Sequence, residues 1–306
     1  MTPALHAVCV VALAVAADLA LGDPPNRWHP VAWMGRALTG GRARWCHGSP
    51  TVLFVAGGCL TLGVMALAAL AGGIVALIAG ALGVAGLALE AAALKSTLAL
   101  RGLARAARAV AAALAAGDLD GARASLGHHL VSRPTAALDA SQVASGAIES
   151  VAENLTDAFV APLLFYLTLG LPGALAYRAL NTADTMLGYR EGALEYFGKV
   201  AARLDDVANL VPAPLAALAV VTAAGSRAGD AWSVMLRDHS RTASPNAGWT
   251  MSAAAGALDV TLDKSGHYHL GHGRAPQAAD IARSVRLIVR ASAIAVVTAM
   301  VIRLVV

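Results

Sequence analysis

Long apolar runs separated by short polar clusters set the pattern of this chain. Ala4 to Leu21 is apolar and flows into a proline-rich polar turn, Gly22-Asp23-Pro24-Pro25-Asn26-Arg27-Trp28-His29-Pro30-Val31. Ala14-Val15-Ala16 imitates a signal-cleavage site, but no Lys or Arg precedes the run, which favours a retained first membrane helix. A basic stretch, Trp33 to Arg44, comes next. Thr51 to Leu70 and Gly72 to Leu94 then read as two spans, each long enough to cross a bilayer, which takes roughly 20 residues. Glycines 72, 73, 80, 83 and 86 give the second a small-residue packing face. Lys95, Arg101, Arg105 and Arg108 follow; with this side cytoplasmic, the 23–50 loop is cytoplasmic too and the amino terminus lies outside.

From Ser96 to Ala116 arginine recurs at helical spacing against Leu and Ala, the mark of an amphipathic helix that lies on the membrane or caps a polar site. The 96–156 segment reads as polar and helical throughout. His128 and His129 are adjacent, so they point to different faces and make a poor shared metal site. The helix from Ala140 places Glu149 and Glu153 at i,i+4, with Asp157 continuing the row, and three stacked acids call for something positive against them. Pro162 and Gly170-Leu171-Pro172-Gly173 break the next apolar segment into pieces short for a crossing, as in re-entrant or discontinuous helices. Asn181 and Asp184 share a face at i,i+3. Arg203-Leu204-Asp205-Asp206-Val207-Ala208-Asn209 opens another apolar helix, Leu210 to Ala224, where an Asp at the helix start is also ordinary capping. Residues 225–280 read as a polar loop segment. Its Ser244-Pro245-Asn246-Ala247-Gly248 turn offers backbone amides to phosphate, and His267 and His269 stand on an exposed loop. A helix from Ile281 to Val306 ends the chain.

The expected architecture is all-α: one integral-membrane domain over 1–306, a polytopic helical bundle with broken or re-entrant helices and amphipathic cytoplasmic helices, and no convincing strand. Composition agrees. The chain has 306 residues, 58% hydrophobic and 14% charged, where a soluble domain carries about 25% charge. The net charge of +4 is not gathered into a run dense enough for nucleic acid and reads as positive-inside bias. Cys9, Cys46 and Cys59 are scattered without metal spacing.

Against so apolar a background, Glu149, Glu153, Asp157, Asp184, Asp205 and Asp206, with Asn154, Asn181 and Asn209, form the candidate site, because a carboxylate in an apolar setting needs a partner or a cation. Solvated helix ends at a membrane surface are the plainer reading. No P-loop, no GxGxxG after a strand and no GxSxG elbow occurs. Carboxylates, amides and nearby arginines suit Mg²⁺ with phosphate groups, but a transporter uses the same acids for ions or protons. The residues leave both open.

The ordered motifs go further. Gly22-Asp23-Pro24 with His29-Pro30-Val31, Glu149-Ser150-Val151-Ala152-Glu153-Asn154, Asp157 with Ala161-Pro162-Leu163, Ala176-Tyr177 with Asn181-Thr182, Asp184-Thr185-Met186 with Gly188-Tyr189, Ala202 to Asn209, Ser244-Pro245-Asn246-Ala247 and Ala255-Gly256-Ala257-Leu258 resemble, nearly end to end, the cobalamin-biosynthesis family called CobD or CbiB. The resemblance implies a multi-pass enzyme of the cytoplasmic (inner) membrane, adenosylcobinamide-phosphate synthase. Such an enzyme joins a corrinoid, adenosylcobyric acid, to (R)-1-aminopropan-2-ol or its O-phosphate with ATP and Mg²⁺; other enzymes of the cobalamin pathway are potential partners. Carried over by position, it assigns catalysis to Glu149, Glu153, Asn154, Asp157, Asn181, Asp184, Asp205 and Asp206, metal to Glu153, Asp184 and Asp206, and substrate or phosphate to Asp23, His29, Arg133, Arg203, Asn209, Ser244 and Asn246. His29 beside Asp23 is equally open to a structural role. Two departures stand out. Arg133-Pro134-Thr135 replaces the family's Arg-Asp-Thr, and Asp263-Lys264-Ser265-Gly266-His267-Tyr268 keeps only the Gly and Tyr of an Asn-rich turn. The class alternative is a membrane sensor or transporter on the same fold.

Overall fold

The computed structural model describes residues 1–264 and 266–305; Ser265 and Val306 lie outside the described residues. Within them the chain is almost wholly helical and divides into two compact units. The first holds Met1–Ala99, Ala161–Asn209 and the chain end from Met300; the second holds Leu100–Val160 and Leu210–Ala299.

One local device starts the first three helices. Thr2, His29 and Ser49 each accept a backbone N–H of the first turn, from Leu5 at 3.2 Å, Val31 at 3.2 Å and Val52 at 3.4 Å. A proline follows each, at the position where a missing N–H costs nothing. They begin α1 (Pro3–Leu21), α2 (Pro30–Trp45) and α3 (Pro50–Ala81). The basic stretch is therefore a helix, and His29 is its N-cap.

The 32 residues of α3 run about 48 Å, so the break expected between Leu70 and Gly72 is absent. Gly72 instead lets backbone in: a Cβ there would lie 2.9 Å from the Leu171 carbonyl oxygen. The chain reverses at Gly83, whose φ of +58° suits glycine, and α4 (Gly86–Lys95) follows.

In α8 (Ala161–Leu187) the non-helical residue is Gly170, φ 69° and ψ −166°. The expected discontinuity is thus present at Gly170. Pro162 does not break the helix: it follows a π-helical turn, Thr156–Val160, and the helix runs on through it to Gly170. Two short helices close this unit, α9 (Leu194–Phe197) and α10 (Lys199–Ala208). A Cβ at Gly57 would collide with the Phe197 carbonyl, and one at Gly198 with that of Leu187, so α3, α8, α9 and α10 meet at backbone contact. Apolar helices are pinned by polar pairs. Buried Glu90 on α4 accepts from Tyr166 OH of α8 at 2.8 Å and pairs with His6 Nε2 of α1 at 2.8 Å. Lys95 Nζ reaches Asp23 at 2.7 Å and Asp18 at 4.0 Å.

The second unit begins with α5 (Leu100–Ala115), which is amphipathic as its pattern predicts: Leu100, Ala104, Ala107 and Val110 are buried while Arg101, Arg105 and Arg108 are exposed. Asp118 caps α6 (Leu119–His129) by accepting from Gly121 N at 2.8 Å. Asp139 and Gln142 form a capping box on α7 (Ala140–Leu155), after which Thr156–Val160 is a π-helical turn. The chain resumes in α11 (Pro212–Ala223), α12 (Ala228–Asp238), α13 (Ala247–Leu258) and α14 (Ala278–Val305).

The 225–280 stretch is accordingly no loop. It is polar on one side only: α12 buries Ala231, Val234 and Met235, and α13 is small enough for Gly256 to meet the Asp230 backbone. It also contains strands the pattern did not suggest, β1 (Leu262–Lys264) and β2 (Tyr268–Leu270), antiparallel with Leu262 opposite Leu270 and Lys264 opposite Tyr268. At three residues each they are too short for alternation to register. Buried Asp238 anchors the hairpin end, accepting from Gly271 N at 2.8 Å and from Arg237 at 2.8 and 2.6 Å. Burial pushes its carboxyl up, but the hydrogen bonds from Arg237 and Gly271 outweigh that and hold it below the usual carboxylate range.

Among the described residues, five helical stretches are long and apolar enough to cross a membrane: Pro3–Leu21, Pro50–Ala81, Gly83–Ala115, Ala140–Leu187 and Ala278–Val305. The pair Lys199–Ala208 and Pro212–Ala223, bent by 50°, makes a sixth if it is one span. Asp205 and Asp206 therefore lie toward the end of α10 and do not open the apolar helix, which starts at Pro212; the capping explanation for them falls away.

Candidate functional site

The acids of the 148–209 stretch divide between the two units. In the first, Asp184 near the end of α8 and Asp205 and Asp206 on α10 lie within electrostatic reach of one another. Asp205 is buried because α10 turns it inward: its Oδ2 accepts from Asn209 Nδ2 at 2.9 Å, and Asn209 Oδ1 in turn accepts from Tyr177 OH at 2.9 Å. Arg178 donates to Asn181 Oδ1 at 3.0 Å. Buried amides and a phenol thus hold Asp205 and Asn181 in place. Asp206 is half-buried, 3.4 Å from exposed Arg203, and opens on a cleft of about 160 Å³.

That cleft is lined by Gly188, Tyr189, Arg190, Leu194, Glu195, Gly198, Lys199, Ala202, Arg203 and Asp206. Small residues at 188, 198 and 202 leave the space, and three cations wall it. Lys199 also pairs with Glu195 at 3.5 Å. Beside it a wider hollow of about 530 Å³ is lined by Arg42, Ala43, Cys46 and Glu191 to Leu194. Sequence reasoning found Arg203 here but missed Arg190 and Lys199. Their signal was the acid-to-base alternation of Arg190-Glu191 and Glu195-Lys199 just past Asp184.

In the second unit Glu149 on α7 is buried and well supplied. It accepts from Ser145 Oγ at 2.7 Å and Tyr268 OH at 2.9 Å, with Arg133 at 3.8 Å. Ser145 Oγ itself accepts from Asp263 N at 2.8 Å, so β1 and β2 are both fastened to α7 through this carboxylate. Burial, then the charge of Glu149, pushes the Tyr268 phenol well above its ordinary range, and it stays a neutral donor. Glu153 is the next charge felt by that phenol. Asn154 donates to Ser150 O at 2.9 Å. Asp157 stands in the π turn, so the helical row expected through Glu149, Glu153 and Asp157 is interrupted there. The cation expected for the row is in part Arg133, which faces Glu149.

Two other expected contacts look different in three dimensions. The backbone N–H groups of Asn246 and Ala247 approach Ser244 Oγ at 3.2 and 3.4 Å, so the turn's own hydroxyl occupies them; Asn246 is buried. Asp23 lies 3.5 Å from His29 Nε2 as well as beside Lys95. Burial raises the Asp23 carboxyl, but hydrogen bonds from His29 and Lys95 outweigh it and bring it down to about 2. Lys95 ties the 22–29 turn to α4, while His29 closes the turn on itself.

No group of three or more His, Cys, Asp and Glu among the described residues is disposed to hold a metal, so Glu153, Asp184 and Asp206 are not seen as one ligand set. Asp184 with Asp206 still fits Mg²⁺, which takes one or two carboxylates and fills its octahedron with water and phosphate oxygens.

A polytopic, predominantly helical membrane protein with buried carboxylate and amide clusters is the class these features define. The chain belongs to the CobD/CbiB family of cobalamin biosynthesis: the family described as CobD/Cbib protein matches residues 11–288. It is 42% identical over 272 residues to the cobalamin biosynthesis protein CobD of Dehalococcoides mccartyi, covering 87% of each chain. It is 39% identical over 267 residues, 86% of each, to the probable cobalamin biosynthesis protein CobD of Methanothermobacter thermautotrophicus. With the Brucella suis protein of the same name it shares 40% over 264 residues, 83% of this chain and 80% of that one. No solved structure matches.

Proposed function

We propose that this cobalamin-biosynthesis enzyme forms the amide bond between adenosylcobyric acid and (R)-1-aminopropan-2-ol or its O-phosphate, consuming ATP, in the cytoplasmic membrane. The observation that carries the reading is Asp206, with Asp184 within electrostatic reach of it, at a cleft walled by Arg190, Lys199 and Arg203. Joining an unactivated carboxylate to an amine is uphill in water. The corrinoid carboxylate oxygen attacks the γ-phosphorus of ATP, ADP leaves, and the amine nitrogen then attacks the acyl phosphate carbonyl. Phosphate departs and a carboxylate takes the amine's proton. Mg²⁺, when bound, would neutralise phosphate charge during this transfer. Asp184 and Asp206 are the residues to hold it or to accept the proton, and the guanidinium of Arg203 has the fork that phosphate oxygens match. Asn209 and Tyr177 act by fixing Asp205.

The test is amide formation by the purified, detergent-solubilised protein given adenosylcobyric acid, aminopropanol phosphate, ATP and Mg²⁺, followed by product mass. Product that depends on ATP is the expected result. Folded protein that binds corrinoid and makes no product would favour the transporter or sensor reading instead.

A further inference from the structure

Between α1 and α3 the chain gathers tryptophan and arginine without acid. Trp28, Trp33 and Trp45 stand among Arg27, Arg36, Arg42 and Arg44, and no Asp or Glu occurs from Pro24 to Leu89. The three tryptophans are 64, 48 and 46% exposed, although an indole is ordinarily well covered. The four arginines are exposed as well. On α2, Trp33, Arg36, Gly40 and Arg44 follow at intervals of three and four and share one outward stripe, with Leu38 and Gly41 buried behind them. Trp28 and Trp45 close its two ends. The indole N–H of Trp33 donates to Arg27 O at 2.9 Å, which leaves the hydrocarbon of the ring facing outward.

Packing fixes the depth of α2 along α3. Gly41 makes room for Leu60, and from residue 60 to its end at Ala81 α3 runs about 33 Å, against a hydrocarbon core of about 30 Å. Leu62, Leu67, Leu70 and Leu77 are exposed along that length, as contact with lipid allows. α2 therefore lies at the edge of the core, where tryptophan rings rest and guanidinium groups meet phosphate. We propose that the outward edge of α2 is a docking surface for anionic phospholipid headgroups. Arg27, Arg36 and Arg44 pair with lipid phosphate, and Trp28, Trp33 and Trp45 seat beside the glycerol. Charge complementarity selects the occupant, because a basic segment next to a membrane helix concentrates anionic lipid around itself. The dock bears on the reactive acids too. Gly35 of α2 lies against Met186 of α8, where an added Cβ would stand 3.5 Å from the sulfur, two residues past Asp184. Lipid that fixes α2 thereby steadies the end of α8 that carries Asp184.

Full-length protein reconstituted into phosphatidylcholine vesicles tests this without turnover. Brominated phosphatidylglycerol and brominated phosphatidylcholine, added at equal mole fraction, are compared as quenchers of tryptophan fluorescence. The anionic quencher should be about twofold more effective on the wild type. Arg27→Gln, Arg36→Gln and Arg44→Gln combined should bring the two quenchers level while circular dichroism keeps its helical signal. Trp28→Phe, Trp33→Phe and Trp45→Phe combined should also abolish the excess, leaving Trp232 and Trp249 quenched alike by both lipids. Amide hydrogen exchange along α2 and at Thr185–Leu187 should slow about threefold when phosphatidylglycerol is included. Equal quenching of the wild type by the two lipids would overturn the proposal, and so would an excess that survives the arginine substitutions. Protection of the wild-type tryptophans from both quenchers would put a second copy of the chain on this edge and overturn it as well.

Discussion

Glu149 and Asp206 are both acids in an apolar chain, yet one is closed by its neighbours and the other faces a cavity. Glu149 is buried with two hydroxyl donors and an arginine around it, and two of those groups come from or lead to the β1–β2 hairpin. Asp206 has exposed Arg203 at 3.4 Å, Arg190 and other acids within electrostatic reach, and a cation-walled cleft in front. A carboxylate whose lone pairs are filled by fixed donors contributes to architecture. One held near like charges and open to a cleft keeps capacity for a ligand. The same residue chemistry thus splits into a carboxylate closed by its neighbours and one open to a cleft.

The comparison predicts opposite consequences for similar substitutions. Asp206→Asn should lower amide formation by about 100-fold or more, the scale of losing a proton acceptor, while the melting temperature of the detergent-solubilised protein stays within a few degrees. Loss of fold with loss of activity would put Asp206 in the structural class. Glu149→Ala should do the reverse to stability: it strands Tyr268, Ser145 and a half-buried Arg133, a penalty of about 3 kcal/mol readable as a lowered unfolding midpoint. Glu149→Gln, which still accepts, should recover part of it.

Tyr268→Phe removes one donor and should cost about 1 kcal/mol, confined to the hairpin. Hydrogen exchange at Tyr268–Leu270 should rise by about fivefold with protection in α7 retained; faster exchange across the whole unit would show the hairpin to be part of its core. The smallest effect concerns Asp23. Its folded carboxyl titrates at about 2 against 3.8 for the free group, so its stabilising contribution is complete above pH 3.8 and is lost as pH falls toward 2. Asp23→Asn should flatten the stability profile in that window and nowhere above it; an unchanged slope would mean that His29 and Lys95 do not hold the turn.

Much of this was legible in advance. Capping residue and proline stand side by side at Thr2-Pro3, His29-Pro30 and Ser49-Pro50, so three helix starts are local facts. The bend at Gly170, the amphipathic face of Leu100–Ala115 and the acids at Glu149, Asp184, Asp205 and Asp206 are also local, and motif order gave the family. Partners were not. Tyr268 reaches Glu149 across 119 positions and Lys95 reaches Asp23 across 72, and no periodicity carries information over such separations. The break expected near Gly72 failed for a related reason: a glycine can mark a turn or a close approach, and only the neighbouring Leu171-Pro172 backbone decides which.

Sequence by itself determined that this chain is helical, membrane-spanning, of the CobD/CbiB family and equipped with acids that an apolar chain does not keep idly, because propensity, hydropathy and motif order are written along the chain. Tertiary structure decided which acid is fastened and which is exposed to the cleft, and that Arg190 and Lys199 join Arg203 around it. The reason is physical: charge and desolvation act through space over a few ångströms, so the state of a carboxylate depends on groups that folding brings beside it.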